Sequence, residues 1–192
     1  MKKRILLVLL TLALAMALVI PMAIPVAASG TTLNLNVQGY EIFAGIVSVG
    51  NRYGATFIAQ VAGDTNGNHY CGALTVSTNY KGASPTPGKE NDITGGSWTL
   101  TLTQNGKTVG TIVGKISGGS VEWYPKSPPD ATNGTDYGIV TAPITFMGIS
   151  KTFAGKTGIG TFKGQDVHAS GIYLFGIEVP KVNGELWLTF AN

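Results

Sequence analysis

Side chains able to do chemistry are few on this chain: ten Asp and Glu, two His and one Cys among 192 residues. Two of the carboxylates, Glu41 and Glu178, stand inside segments that read as strands. A carboxylate turned into an apolar interior loses the hydration that favours its charged form. Its pKa then rises, and it becomes able to act as a general acid or base. The other acids fall mostly in loops or at strand ends, where solvation is their ordinary state. A pair of them meeting in space, as glycoside hydrolysis requires, leaves no signature in the linear sequence. The chain has no Gly-x-Ser-x-Gly nucleophile elbow.

His69 and Cys71 are two residues apart, so a strand would point both to one side. With His168 they would make three metal ligands, but the paired Cys-x-x-Cys or His-x-x-x-His spacings of zinc sites are missing. No metal is assigned. As the only cysteine, Cys71 cannot close an intrachain disulfide. It reads as a small buried apolar side chain, with an intermolecular disulfide as the sharper alternative.

Three other segments look like ligand loops and fail on detail. Gly155-Lys156-Thr157 ends like a phosphate-binding loop, but Ser150 stands where the first glycine belongs and the segment leads into a strand, not a helix. Gly158-Ile159-Gly160 lacks the third glycine spacing and the βαβ setting of a dinucleotide site. Asp64-Thr65-Asn66-Gly67-Asn68 alternates oxygen donors, yet its glycine falls at loop position four and Thr75 stands where an EF-hand needs a bidentate Glu. All three read as turns, and no cofactor is implied. Asn133-Gly134-Thr135 fits the N-glycosylation pattern.

Aromatic residues are the remaining handle. Trp98 is in phase with Leu100 and Leu102 and reads as core. Trp187 is out of phase with Leu186, Leu188 and Phe190 and reads as outward-facing. Trp123 and Tyr124 abut a proline-rich loop. Exposed aromatics of this kind stack on sugar rings or on partner proteins, so Trp123, Tyr124 and Trp187 are the binding candidates.

The elements that position these residues follow a period of two. Apolar residues alternate with threonine from Trp98 to Thr103, the pattern of a strand with one wet face. Asn105-Gly106 follows, with the tolerance for positive φ that a type I′ hairpin needs. Further strands are expected over 33–37, 41–49, 55–61, 70–78, 121–124, 138–149, 160–167, 172–179 and 185–190, with 181–184 as a turn. Proline-rich loops are expected over 81–92 and 125–136. Many short strands with frequent turn residues indicate an all-β barrel or sandwich. Gly110, Gly114 and Gly118 share one strand face with Ile112 and Ile116, and Gly158, Gly160 and Gly164 repeat the theme around Phe162. Glycine kinks of this kind let a sheet coil closed. The expectation is a single antiparallel barrel of roughly eight to ten strands, with a two-sheet sandwich as the alternative.

Residues 1–29 read as a helical signal peptide. Lys2-Lys3-Arg4 is the basic start, residues 5–20 are the apolar stretch, and Val26-Ala27-Ala28 supplies small residues for cleavage. One domain is then expected over 30–192, secreted or periplasmic. Setting aside three basic residues of the leader leaves ten basic and ten acidic residues of the 13 and 10 present. That balance gives no footprint for nucleic acid or an anionic membrane. The expected function is a non-catalytic exported barrel that holds a small apolar molecule or meets a carbohydrate or protein surface. The alternative is a small-barrel enzyme, isomerase, cyclase or hydrolase-like, using a buried carboxylate.

Overall fold

The computed structural model of the chain describes residues 31–48, 52–81, 90–125, 136–168, 173–174, 177–178 and 180–191. The leader expected over 1–29 lies outside them. Among the described residues no helix is long and apolar enough to cross a membrane. The strands are β1 (Thr32–Ser48), β2 (Arg52–Thr65), β3 (Asn68–Tyr80), β4 (Glu90–Gln104), β5 (Lys107–Ile116), β6 (Ser120–Pro125), β7 (Asp136–Gly148), β8 (Thr157–His168), β9 (Tyr173–Leu174), β10 (Ile177–Glu178) and β11 (Lys181–Phe190).

Eight of these close into an antiparallel barrel, in the order β1-β2-β3-β4-β5-β7-β8-β11 and back to β1. Closure leaves no open sheet edge between first and last strands. β6 lies between β4 and β7, the same two neighbours that β5 has. It therefore continues the course of β5 after a break at Ser117–Gly119. Gly119 makes that break possible. Its φ is +123°, and a Cβ there would sit 2.2 Å from the carbonyl of Thr141. Hydrogen bonds from Ser117 N to Pro143 O (3.0 Å) and from Ile93 N to Gly119 O (2.9 Å) carry the pairing across it.

The period of two sorts side chains between lumen and solvent. On β1, Leu33, Leu35 and Val37 are buried while Asn34, Asn36 and Gln38 are exposed. On β4, Trp98, Leu100 and Leu102 point inward, as read from the sequence. Fully burying a Leu or Ile contributes about 1.5–3 kcal/mol each, and Leu35, Leu100, Leu102, Ile112 and Leu188 have no measurable exposure. Inward glycines make room for large rings beside them. The Trp98 indole lies over Gly114, Phe146 over Gly158, and Phe162 over Gly164 and Gly184. Four of the six glycines that suggested a barrel, Gly110, Gly114, Gly158 and Gly164, thus act by letting rings fill a curved interior; Gly160 instead faces Ile144 and Leu188, and Gly118, expected on the strand face, lies in the break after β5.

The two ends of the barrel differ. At one end the hairpins are tight. Asn66-Gly67 joins β2 to β3 with φ of 51° and 75°, and Asn105-Gly106 joins β4 to β5 with φ of 50° and 73°. The β7–β8 connection carries a 3₁₀ turn, Lys151–Phe153, that drops Phe153 into this end. Phe153 stacks on Phe190 (5.6 Å, 13°), Phe190 meets Phe146 edge-on at 4.9 Å, and Phe146 meets Trp98 at 6.2 Å. Such pairs contribute about 0.5–1.5 kcal/mol each beyond their buried area. Lys151 Nζ donates to Thr108 O at 2.8 Å, and Thr111 N donates to Ser150 Oγ at 3.0 Å, pinning the turn. The strands joined through 49–51, 82–89, 126–135 and 169–180 meet at the opposite end.

Three expectations of strand layout are corrected. The separate strands expected over 33–37 and 41–49 are one continuous strand, β1. Residues 181–184 are not a turn but the start of β11, paired to β1 and β8. Asn183-Gly184 imitates a hairpin signal, but Gly184 is there to lie beneath the Phe162 ring. The single strand expected over 172–179 is instead the separate two-stranded ribbon β9–β10.

Candidate functional site

The barrel encloses a cavity of about 60 Å³. Its wall is apolar for most of its extent, formed by residues such as Phe57, Leu74, Trp98, Ile144, Phe162 and Leu186. The aromatic plug closes the tight-turn end. Polar side chains reach the cavity from the other end: Thr78 and Tyr80 at the close of β3, and Asp166 near the close of β8. Glu41, at the same level of β1, is 9% exposed, and its backbone N–H donates to Pro180 O at 2.9 Å. Asp166 is only 2% exposed.

These four residues belong together electrostatically. Burial pushes the Tyr80 phenol well above its ordinary value of 10.0. The Asp166 and Glu41 carboxylates push the same way, by repelling a phenolate, while a hydrogen bond with Thr78 works against them. Tyr80 therefore keeps its proton at neutral pH and presents an O–H donor close to two carboxyl groups. Thr78 Oγ1 also lies 3.3 Å from Ala55 O, an alternative acceptor for its single hydroxyl proton. Trp98 is 4% exposed, and its Nε1–H has no acceptor among the described residues. An orphaned buried donor costs about 1–3 kcal/mol; this one lies along the strand wall, on the edge of the indole that covers Gly114.

Of the sequence candidates, Glu41 stands at this site. Glu178 falls on β10, and its side chain lies outside the described part of the structure, as do those of Trp123 and Tyr124 on β6. Trp187 faces outward from β11, half-buried, with Lys163 Nζ 5.6 Å from its ring centroid. Residue-type reasoning missed Thr78, Tyr80 and Asp166. The signal was their phase: Thr78 and Tyr80 continue the inward set Leu74 and Val76, and Asp166 continues Phe162 and Gly164.

Cys71 is exposed, contrary to its reading as a buried apolar residue. It sits at an odd position of β3, whose even positions turn inward. Asp64–Asn68 forms the β2–β3 hairpin turn and its flanks. Among the described residues no group of three or more His, Cys, Asp and Glu is arranged to hold a metal ion. His69 begins β3 at the tight-turn end, whereas His168 closes β8 at the other. No protein-family model matches the chain, and a search of curated proteins finds no match.

Proposed function

We propose that this protein is an exported binding barrel that takes a small apolar molecule, carrying one hydrogen-bond-donating head group, into its lumen. One observation carries the reading: an apolar interior sealed at one end by stacked rings, with Glu41, Thr78, Tyr80 and Asp166 gathered toward the other. An apolar body would gain by leaving water for the lumen wall. A hydroxyl or amine head would donate to the carboxyl groups. The cavity's 60 Å³ limits the buried portion to a few heavy atoms, well below the ~300 Å³ and upward typical of drug-sized sites. The apolar interior is the reverse of the polar lumen of a lipid-embedded barrel, which supports a water-facing role. The basic-apolar leader supports export.

Native mass spectrometry of the protein purified from its own cells tests this. The expected result is a small-molecule adduct that organic extraction removes and that returns on adding back the extract. Protein of bare mass throughout, with no rebinding, overturns it. A second reading, acid–base catalysis in the same lumen, is favoured by the placement of the Tyr80 O–H near two carboxyl groups. Chemical conversion of the recovered ligand by wild-type protein but not by Glu41→Gln or Asp166→Asn would select that reading.

A further inference from the structure

The β2–β3 hairpin carries a second group of reactive side chains, on the outer wall and away from the lumen. Its turn, Asn66-Gly67, has both residues at positive φ, the geometry of a tight type I′ hairpin. That turn sets Asp64 directly opposite His69 and puts Cys71 on the same face of β3, one pleat further on. His69 Nδ1 lies 2.9 Å from Asp64 Oδ1, and His69 Nε2 lies 3.3 Å from Cys71 Sγ. A carboxylate only accepts, so Nδ1 carries the proton that Asp64 receives, and Nε2 is left to accept from the thiol. This is the ordering of a nucleophile, its base and the group that orients the base.

The thiol also borders a place for a substrate to lie. Cys71 forms part of the wall of an open trough of about 1140 Å³ of mixed polar and apolar lining. Its lining offers carboxamides and hydroxyls, among them Asn36, Gln38, Gln60, Thr101 and Thr103, beside small apolar residues such as Ala62 and Ala73. These groups match the hydrogen-bonding pattern of a peptide-like molecule. Around Cys71 the backbone is paired on both sides, to Ala62 of β2 and Thr103 of β4. Its N–H groups are therefore committed to the ladders and do not form a pocket for a tetrahedral oxyanion. Thiol–disulfide exchange needs no such pocket.

We infer that Cys71, served by His69 and Asp64, is a thiol-exchange site that forms a mixed disulfide with a low-molecular-weight, peptide-like thiol supplied as its disulfide. In that step Cys71 Sγ attacks one sulfur of the small disulfide. A new S–S bond forms to Cys71, and the original S–S bond breaks. Cys71 is oxidised, the leaving sulfur is reduced to a thiolate, and the thiol proton passes through His69 Nε2 to that thiolate. With no second cysteine in the chain, no internal thiol can resolve the product, so the adduct persists until an external thiol removes it. Asp64 acts through His69 and is a positioning residue.

The test uses the full chain and oxidised glutathione as the probe, following adduct formation by intact mass from pH 6 to 9. Wild type at pH 7 should react about tenfold or more faster than His69→Ala, an effect below the ~100-fold and upward of enclosed bases. His69→Ala should approach the wild-type rate only at the alkaline end of that range. Asp64→Asn should fall between the two, and Cys71→Ser should give no adduct. His69→Gln, a second variant without a base, must behave like His69→Ala. Circular dichroism of each variant checks that the barrel is intact, and the pH profile of wild type alone remains informative if one fails to fold. Superimposable profiles for wild type and both His69 variants would overturn the inference. So would a disulfide-linked dimer forming in place of the glutathione adduct.

Discussion

Gly114→Ala is the substitution whose outcome the interior packing specifies most tightly. A Cβ at this position would lie 2.3 Å from both Cε2 and Nε1 of Trp98, and 2.3 Å from the carbonyl oxygen of Thr145. Carbon atoms in contact sit about 3.5–4.0 Å apart, so the indole must retreat by more than 1 Å. Its edge already meets Phe146, at 6.2 Å between centroids, and the space left to it is the 60 Å³ cavity. Overpacking of this kind costs about 1–3 kcal/mol. At ~2–4 °C per kcal/mol for a chain of this size, the melting temperature should fall by roughly 2–12 °C. Thermal unfolding by circular dichroism measures the loss. A double-mutant cycle with Trp98→Leu then isolates the ring, because the indole supplies two of the three nearest atoms. The coupling should be about 1 kcal/mol or more, within the range for touching residues. A melting temperature unchanged in Gly114→Ala, or a coupling near zero, would refute the claim that this ring rests on this glycine. The displaced indole should also occupy the cavity and weaken ligand uptake.

Two further outcomes follow from the same interior. Tyr80 is an acid whose pKa is higher folded than unfolded, so the unfolded chain loses this proton first as pH rises. Stability from this group is therefore complete below the ordinary value of 10.0 and declines above it, at up to about 1.4 kcal/mol per pH unit. Alkaline denaturation should be delayed in Tyr80→Phe, and ultraviolet titration of the wild type should find one of the seven tyrosines ionising only with unfolding; identical alkaline midpoints would contradict this. Phe153→Ala should cost about 3–5 kcal/mol, the range for deleting a buried ring, read as a lower denaturant midpoint, because Phe153 stacks on Phe190 and closes the tight-turn end. A loss under about 1 kcal/mol, on the scale of a surface change, would mean the plug is not load-carrying packing.

Much of the barrel was legible because its determinants are local. The alternation from Trp98 to Thr103 and the Asn105-Gly106 turn each state their own structure, and both hold. The inward glycines on β5 and β8 were legible as a set, since only coiling explains so many on one strand face. Asn183-Gly184 misled for the same reason in reverse. Its local chemistry is that of a turn, but its role is set by Phe162 on the neighbouring strand, which no local window contains. The lumen cluster was partly visible. Glu41 stood out as a charge within an apolar strand, whereas Tyr80 and Thr78 are ordinary strand residues whose importance comes from facing Asp166 across the interior. The Asp64–His69 contact depends on hairpin register, which the Asn66-Gly67 turn sets across two strands rather than within one.

Crystals of the protein held under xenon pressure interrogate the interior itself. Xenon enters dry apolar cavities and ignores filled or hydrated ones. A site bounded by Leu74, Trp98, Ile144 and Leu186, with no ordered water against those four side chains, is the expected map. An interior without xenon, or one holding a chain of ordered waters along that wall, would contradict the apolar lumen on which the binding function rests.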